Sequence, residues 1–434
     1  MPTAARSSLA RVRLRILLLL FAATAINYFD RSVLGVLAPT LRDRVFGWSI
    51  RDYSYITTAF QASYTIGLLA AGSIIDRIGV RRGYAAAISI WSVFGAAHAL
   101  IRPAFGLAGF IAARFGLGLG ESGNFPCTAK VIADWFPQQR RGLATGVVNA
   151  STNVGAVLAP LLVPLLVAAD GRRWQAAFLM APACSALWVA AWWRFYRNPA
   201  EHPALTEEER ALVRRESLAQ TVRPIAWSAA ARCRETWGFA LLKLPDAAWW
   251  FYLFWAGSFL SDRYGLDIAG LGLPLVVVFG TADVGSIVGG WASGHLLARG
   301  WSVNAARKLV LAACALLVLP VALVTRMPTS WAAVALLSLA AAGHQAWSTN
   351  IYTIVTDLFP SKAVGSVIGL GGMVGSAGTI AAFYTLGHVI RKEDPATYFG
   401  PFLAAGLVYL VVLAAFHLLL PRLEPVEAGR LDCG

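Results

Sequence analysis

The sequence predicts an all-α membrane protein, with twelve transmembrane helices in two pseudo-symmetric six-helix bundles. Three observations predict it. Of 434 residues, 57% are hydrophobic and 14% charged, against about 25% charged in an ordinary soluble chain. Apolar runs recur along the whole chain, each near the roughly 20 residues a helix needs to cross a bilayer. The second half of the chain also repeats features of the first. Helices are expected because lipid cannot satisfy a free backbone N–H or C=O.

The elements follow in order. Runs at 53–75, 83–101, 142–169, 174–193, 309–325, 327–356, 363–390 and 395–421 are of spanning length. Shorter or charge-interrupted runs at 16–41, 103–129, 246–261 and 268–298 bring the count to twelve. Arg6, Arg11, Arg13 and Arg15 precede the first run as in a secretory leader. That run continues to Leu41 without a small-residue cleavage site, so it reads as the first span. A polar stretch divides the spans six and six. The expected organisation is a bundle over 1–196, a cytoplasmic connector over 197–243 with a short surface helix, and a second bundle over 244–434. Thr206 and Glu209 have the T-x-x-E spacing of a capping box at the start of that helix.

The net charge of +14 does not read as a nucleic-acid footprint. Lys and Arg concentrate in the N-terminal arm, the connector, alternate loops and the C-terminal tail. That bias predicts a multi-pass protein of the cytoplasmic (inner) membrane with both termini cytoplasmic. The five cysteines have neither metal nor disulfide spacing and read as small packing residues. No metal site and no cofactor is expected. The expected partners are the lipid bilayer, a small organic anion and protons, with a monomer as the expected state.

The repeat is specific. A constant offset of 223 residues carries Asp134, Phe136, Pro137, Gly142, Gly146 and Gly155 onto Asp357, Phe359, Pro360, Gly365, Gly369 and Gly378. A weaker echo joins GSIIDRIGVRR (72–82) to GWASGHLLARGWSVNAARK (290–308), with Gly294 where Asp76 would align. Parallel halves enclosing a midplane site are a transporter architecture.

The loop GSIIDRIGVRR resembles the signature of the major facilitator superfamily. NYFDRSVLG (27–35), ARFGLGLGESGNFPCTAKVIADWFP (113–137), GWSVNAARK (300–308) and HQAWSTNIYTIVTDLFPSKAVGSVIGLGGM (344–373) resemble its anion:cation symporter branch, and within it the hexuronate and galactonate permeases. The resemblance implies proton-coupled uptake of a sugar acid.

The charges inside the spans are the chemistry-bearing residues. Asp30 and Arg31 lie in the first span, Arg114 and Glu121 in the fourth. A charge at the bilayer centre costs about 2.5–3.5 kcal/mol on insertion scales, so such groups face one another, water or the bundle interior. Arg114 and Glu121 are seven apart and share a helix face; Asp30 and Arg31 point about 100° apart. A static clamp needs one charge of each sign, whereas two carboxylates and two guanidiniums suit an anion receptor with a proton relay. The resemblance assigns proton coupling to Asp30 and Glu121, the substrate carboxylate to Arg31, and a tuning role to Arg114. The chemistry agrees: a guanidinium offers a planar fork that fits a carboxylate. Burial disfavours an ionised acid while a neighbouring guanidinium favours it, so such acids can be poised to load and lose protons. On this reading ionised Asp30 competes for Arg31 and protonated Asp30 releases it.

Tyr28, Gln61, Tyr64 and Asn153 are candidates for the sugar hydroxyls, with Asn149 either beside them or joining helices. In the second half, His344, Trp347 and Asn350 form the candidate polar face; the repeat places His344 opposite Glu121. Asp30 maps onto Leu253, so the charge machinery is expected in the first half alone. Asp76, Arg77, Arg81, Asp134 and Arg141 at the helix ends are candidates for a gate.

An ATP-driven pump would need a G-x-x-x-x-G-K-[ST] loop, which is absent. No nucleophile–base set suggests an enzyme. An importer of another organic anion, such as galactonate or a tartrate-like acid, and a transporter-like sensor remain the alternatives to a hexuronate importer.

Overall fold

The computed structural model describes residues 3–426 apart from 49, 103–104, 168–172, 217–226, 267 and 391–393. Sixteen helices, α1–α16, account for nearly all of the described residues. In chain order they are α1 (Thr3–Thr40), α2 (Ile50–Ile78), α3 (Val80–Ala97), α4 (Gly106–Glu121), α5 (Asn124–Trp135), α6 (Gln138–Leu166), α7 (Trp174–Phe195) and α8 (Glu207–Glu216). There follow α9 (Trp227–Arg232), α10 (Arg234–Leu242), α11 (Asp246–Tyr264), α12 (Ile268–Ala298), α13 (Val303–Val318), α14 (Ser330–Leu358), α15 (Ser361–Val389) and α16 (Phe399–Leu419). They make twelve spans because α4 continues into α5 and α10 into α11, each across a short break, while α8 and α9 belong to the connector. Eight of the spans are long and apolar enough to cross a membrane by composition alone. The other four are the two broken spans, α4 with α5 and α10 with α11, and the unbroken α1 and α14.

The chain forms two compact units. The first comprises Met1–Phe136, Ser151–Ala226 and Ser361–Gly369; the second comprises Pro137–Ala150, Trp227–Pro360 and Leu370–Gly434. Thus the beginning of α6 packs with the second unit and the beginning of α15 with the first.

In the first unit an aromatic core closes one end. Phe46 stacks on Trp48 at 4.6 Å between centroids, and Trp48 meets the edge of Phe110 at 4.8 Å. Glycine lets α4 approach its neighbours. A Cβ on Gly118 would sit against the backbone of α2, and one on Gly120 would lie 2.6 Å from the Trp91 nitrogen of α3. Close backbones bring the end of α4, and so Glu121, among α1, α2 and α3.

The connector forms the expected capping box. The Thr206 hydroxyl accepts from Glu209 N–H at 3.2 Å, and the Glu209 carboxylate accepts from Thr206 N–H at 3.0 Å. That carboxylate also accepts from the Ser8 hydroxyl at 2.6 Å and Leu9 N–H at 3.1 Å, docking α8 on the start of α1. Burial opposes ionisation of Glu209, but these hydrogen bonds outweigh it and hold the carboxyl below the usual carboxylate range. The nearby His202 is pushed below its ordinary value chiefly by burial. The structure also differs from the expected boundary at 243: residues 234–242 are helical and run into α11, so the second bundle reaches back to Arg234.

Candidate functional site

Asp30, Arg31, Arg114 and Glu121 meet inside the first unit. α1 supplies the first two side chains and α4 the others. Arg31 donates from Nε (3.0 Å) and Nη2 (2.8 Å) to one oxygen of Glu121. Its guanidinium also lies 4.8 Å from the ring centre of Tyr28, 5.0 Å from Phe60 and 4.9 Å from Tyr64. A cation stacked on aromatic faces and paired with a carboxylate recovers part of what it lost on leaving water.

This geometry corrects the expected pairing. Arg31 is held by Glu121 rather than by its neighbour Asp30. The 100° offset along α1 turns Asp30 toward α3, where Gly95 admits it: a Cβ there would lie 2.9 Å from Asp30 Oδ2. Asp30 remains within electrostatic reach of Glu121, Arg114 and Arg31.

Several polar atoms here are buried without a hydrogen-bond partner: Asp30 Oδ2, Arg114 Nε and Nη2, Glu121 Oε1, His98 Nε2 and both side-chain ends of Asn27. Glu121 is 0% exposed and Asp30 1%. Buried polar groups are normally paired, so a cluster of unpaired donors and acceptors marks a place for water, protons or a polar ligand. His98 anchors Nδ1 on Phe94 O at 2.7 Å and lies within electrostatic reach of Arg114.

The other candidates fall in three groups. Tyr28 and Tyr64 border the guanidinium of Arg31, as above. Gln61 is half-buried on α2 and Asn153 buried on α6, both in the first unit. The second-half residues find their hydrogen-bond partners within the second unit. His344 Nδ1 meets the Tyr409 hydroxyl at 2.6 Å, and its ring stacks on Trp249 at 5.1 Å. Trp347 donates to Leu242 O at 3.0 Å, and the Asn350 amide to Ala346 O at 2.9 Å and Gly289 O at 3.1 Å.

The charges at the helix ends divide between the two units. Asp76 takes Lys130 at 2.7 Å, and its second oxygen accepts from the N–H (2.9 Å) and hydroxyl (2.8 Å) of Ser366, all within the first unit. Arg81 instead covers the ring of Trp193 at 4.7 Å, and Arg77 is exposed. Asp134 is half-buried in the first unit. In the second unit Arg141 reaches Asp357, the repeat-mate of Asp134, at 3.4 Å, and Arg307 pairs with the same carboxylate at 2.9 Å.

Sequence reasoning missed three buried pairs: Lys130 with Asp76, Arg307 with Asp357, and Lys243 with Asp246 between α10 and α11. For the last, opposite charges at i and i+3 around Pro245, at the head of an apolar run, were the available signal. Reading the connector to 243 hid it.

Comparison with known proteins agrees with the fold. The model of the Major Facilitator Superfamily matches residues 20–383. A hexuronate transporter of Escherichia coli (strain K12) is 32% identical over 403 residues, covering 91% of this chain and 89% of that protein. A galacturonate transporter of Dickeya chrysanthemi is 34% identical over 304 residues, covering 68% and 86%. Among solved structures, the proton:xylose symporter XylE bound to 6-bromo-6-deoxy-D-glucose has the same fold, with a TM-score of 0.74 at 13% identity and 99% of both chains covered. A twelve-span helical fold, buried charges gathered inside one six-helix half, and a family match over most of the length converge: the chain belongs to the major facilitator superfamily of membrane transporters.

Proposed function

We propose that this protein imports a sugar-acid anion, a hexuronate first of all, together with protons, by alternating access. The observation that carries the reading is the buried quartet of Asp30, Arg31, Arg114 and Glu121, with Arg31 clamped on Glu121 over three aromatic rings. The named substrates of the relatives, hexuronate and galacturonate, are carboxylates bearing hydroxyls, and that chemistry suits this site.

Arg31 takes the substrate carboxylate through its planar fork. To do so it leaves Glu121, and an ionised Glu121 left unpaired in apolar surroundings is costly. Protonation of Glu121 removes that cost, so proton and anion enter together. Asp30 is the second proton-carrying acid, and Arg114 adjusts both through space. Loss of the protons inside re-forms the Arg31–Glu121 pair and expels the anion. Tyr28, Gln61, Tyr64 and Asn153 supply hydroxyl contacts. The Asp76–Lys130 and Arg141–Asp357–Arg307 clusters act as gate elements. The orientation follows the basic bias, with both termini in the cytoplasm and a monomer in the inner membrane.

Labelled galacturonate and glucuronate uptake into proteoliposomes under an inward proton gradient tests the reading, with Glu121→Gln beside wild type. Wild type is expected to concentrate the acid. The variant is expected to exchange it across the membrane without concentrating it. Equal accumulation by both would remove the proton role of Glu121, and no uptake of either acid would remove the substrate class.

A further inference from the structure

The second unit holds a charge pair that this cycle does not use. α10 ends at Leu242 and α11 begins at Asp246. Between them, Leu244, Asp246, Ala247 and Ala248 donate their N–H groups to carbonyls three residues back, closing a tight turn around Pro245, which has no N–H to give. Side chains of other helices bind carbonyls at the break. Trp347 of α14 donates to Leu242 O at 3.0 Å, and Tyr409 of α16 donates to Pro245 O at 3.5 Å. Irregular backbone at membrane depth is tolerated where protein or a water-filled cavity surrounds it, and broken helices recur at ion and substrate sites of transporters. Lys243 meets Tyr352, which lies six residues, roughly 9 Å, before the end of α14.

Lys243 and Asp246 straddle this turn as an i, i+3 ion pair through Asp246 Oδ2. The other oxygen, Oδ1, is buried and has no hydrogen-bond partner. Lys243 has a second place to rest. Its ammonium donates to the Tyr352 hydroxyl at 3.2 Å and lies 4.9 Å over that ring. Neutralising Asp246 therefore does not strand the lysine, and Oδ1 is open to receive a proton. The contrast is Asp357, in the same unit: both of its oxygens are taken, by Arg141 and Arg307. The carboxylate of Asp357 has no oxygen to spare, whereas the pair at the break has a free lone pair and a fallback.

We propose that Asp246 is a further proton-carrying carboxylate of the transport cycle, and that its protonation releases Lys243 and loosens the break between α10 and α11. The inference rests on the proton-coupled reading above. The groups around it are Lys243 on the same segment, Tyr252 of α11, Tyr352 and His344 of α14, and Tyr409 of α16. His344 is linked to the break through the Tyr409 hydroxyl. The proton comes from bulk water, forms one O–H bond at Asp246 and returns to water; no other bond changes.

Infrared difference spectroscopy of the full chain in liposomes, stepped from alkaline to acid pH, tests this without requiring transport. Wild type is expected to gain carboxyl C=O bands as pH falls. Asp246→Asn is expected to lack one of them and Glu121→Gln a different one. Where Asp246→Asn fails to fold, Asp246→Glu keeps the pair and is expected to shift that band; an unmoved band overturns the proposal. So do superimposable spectra of wild type and Asp246→Asn. In proteoliposomes the Lys243→Met/Asp246→Asn double variant is expected to move one proton fewer per substrate than wild type, and an unchanged ratio overturns the role in the cycle. A wild type that takes up no sugar acid would defeat the proposed function, while the bands still decide whether Asp246 takes up a proton.

Discussion

At Arg31 the guanidinium is used in two ways at once. Its edge gives two N–H groups to Glu121, and its face lies over Tyr28, Phe60 and Tyr64. Lysine keeps the charge but has neither the fork nor the flat face. Hydrogen bonds to charged groups contribute about 1.5–3 kcal/mol. Arg31→Lys is therefore expected to weaken galacturonate binding by about tenfold or more, 1.4 kcal/mol being tenfold, while the protein stays folded. Titration by intrinsic tryptophan fluorescence reads the affinity, and an unchanged value would remove Arg31 from the substrate. Asp30 offers a test through its neighbour. A methyl group at Gly95 would press on Asp30 Oδ2 at 2.9 Å and Pro182 Cγ at 3.2 Å, and overpacking costs about 1–3 kcal/mol. Gly95→Ala is expected to displace Asp30 and move the pH profile of uptake. A slower rate with an unmoved profile would show that Gly95 serves packing alone. The quartet itself was legible because charges in apolar runs are conspicuous. Which acid holds Arg31 was not, since that depends on the rotation of α1 against α3 and α4.

Among the elements, α8 is the one whose start and docking both rest on one carboxylate. Glu209 closes the capping box and binds the beginning of α1. Its proton affinity is depressed in the folded state. The stabilisation is therefore full above the ordinary carboxylate range and is lost as pH falls through the depressed value. Limited proteolysis of the connector is expected to be constant near neutrality and to quicken in acid. Glu209→Gln is expected to be cut faster at neutral pH, with little further change on acidification; a capping interaction of this kind contributes about 1 kcal/mol. Equal cleavage of variant and wild type at neutral pH would show that α8 docks by other contacts. The capping box was readable because it is local, four residues in a row. The contact with Ser8 and Leu9 was not, because nothing in a sequence announces a partner 200 residues away. The break at Lys243–Asp246 was hidden for a related reason: its polarity looks like the end of a linker, and only packing against Trp347, Tyr352 and Tyr409 identifies it as the inside of a span.

Across the whole molecule the twelve spans and the 223-residue repeat were visible in the sequence, since hydrophobic length and repeated Asp-x-Phe-Pro segments need no tertiary knowledge. The repeat also bears on a pairing that the sequence left open. Arg141 sits next to the first copy of that segment, close to Asp134, yet it binds Asp357 in the second. The path of α6, whose first residues pack in the second unit, delivers Arg141 to Asp357. The triad this creates is unequal. Asp357 is shared by two guanidiniums, and Arg307 is also bonded to Ser293 and within 3.5 Å of Asn350. Removing Arg141 leaves the Arg307–Asp357 pair intact, whereas neutralising Asp357 leaves two buried cations without a counter-charge. Breaking a buried pair so that a charge is stranded costs about 3–5 kcal/mol. Asp357→Asn is therefore expected to lower the thermal midpoint of the detergent-solubilised protein well below that of Arg141→Gln, and the double variant is expected to recover part of the loss by removing one stranded cation. An Arg141→Gln midpoint as low as that of Asp357→Asn would mean that Arg141, through its bond to Thr356 O, carries the stability by itself and that Asp357 merely accompanies it.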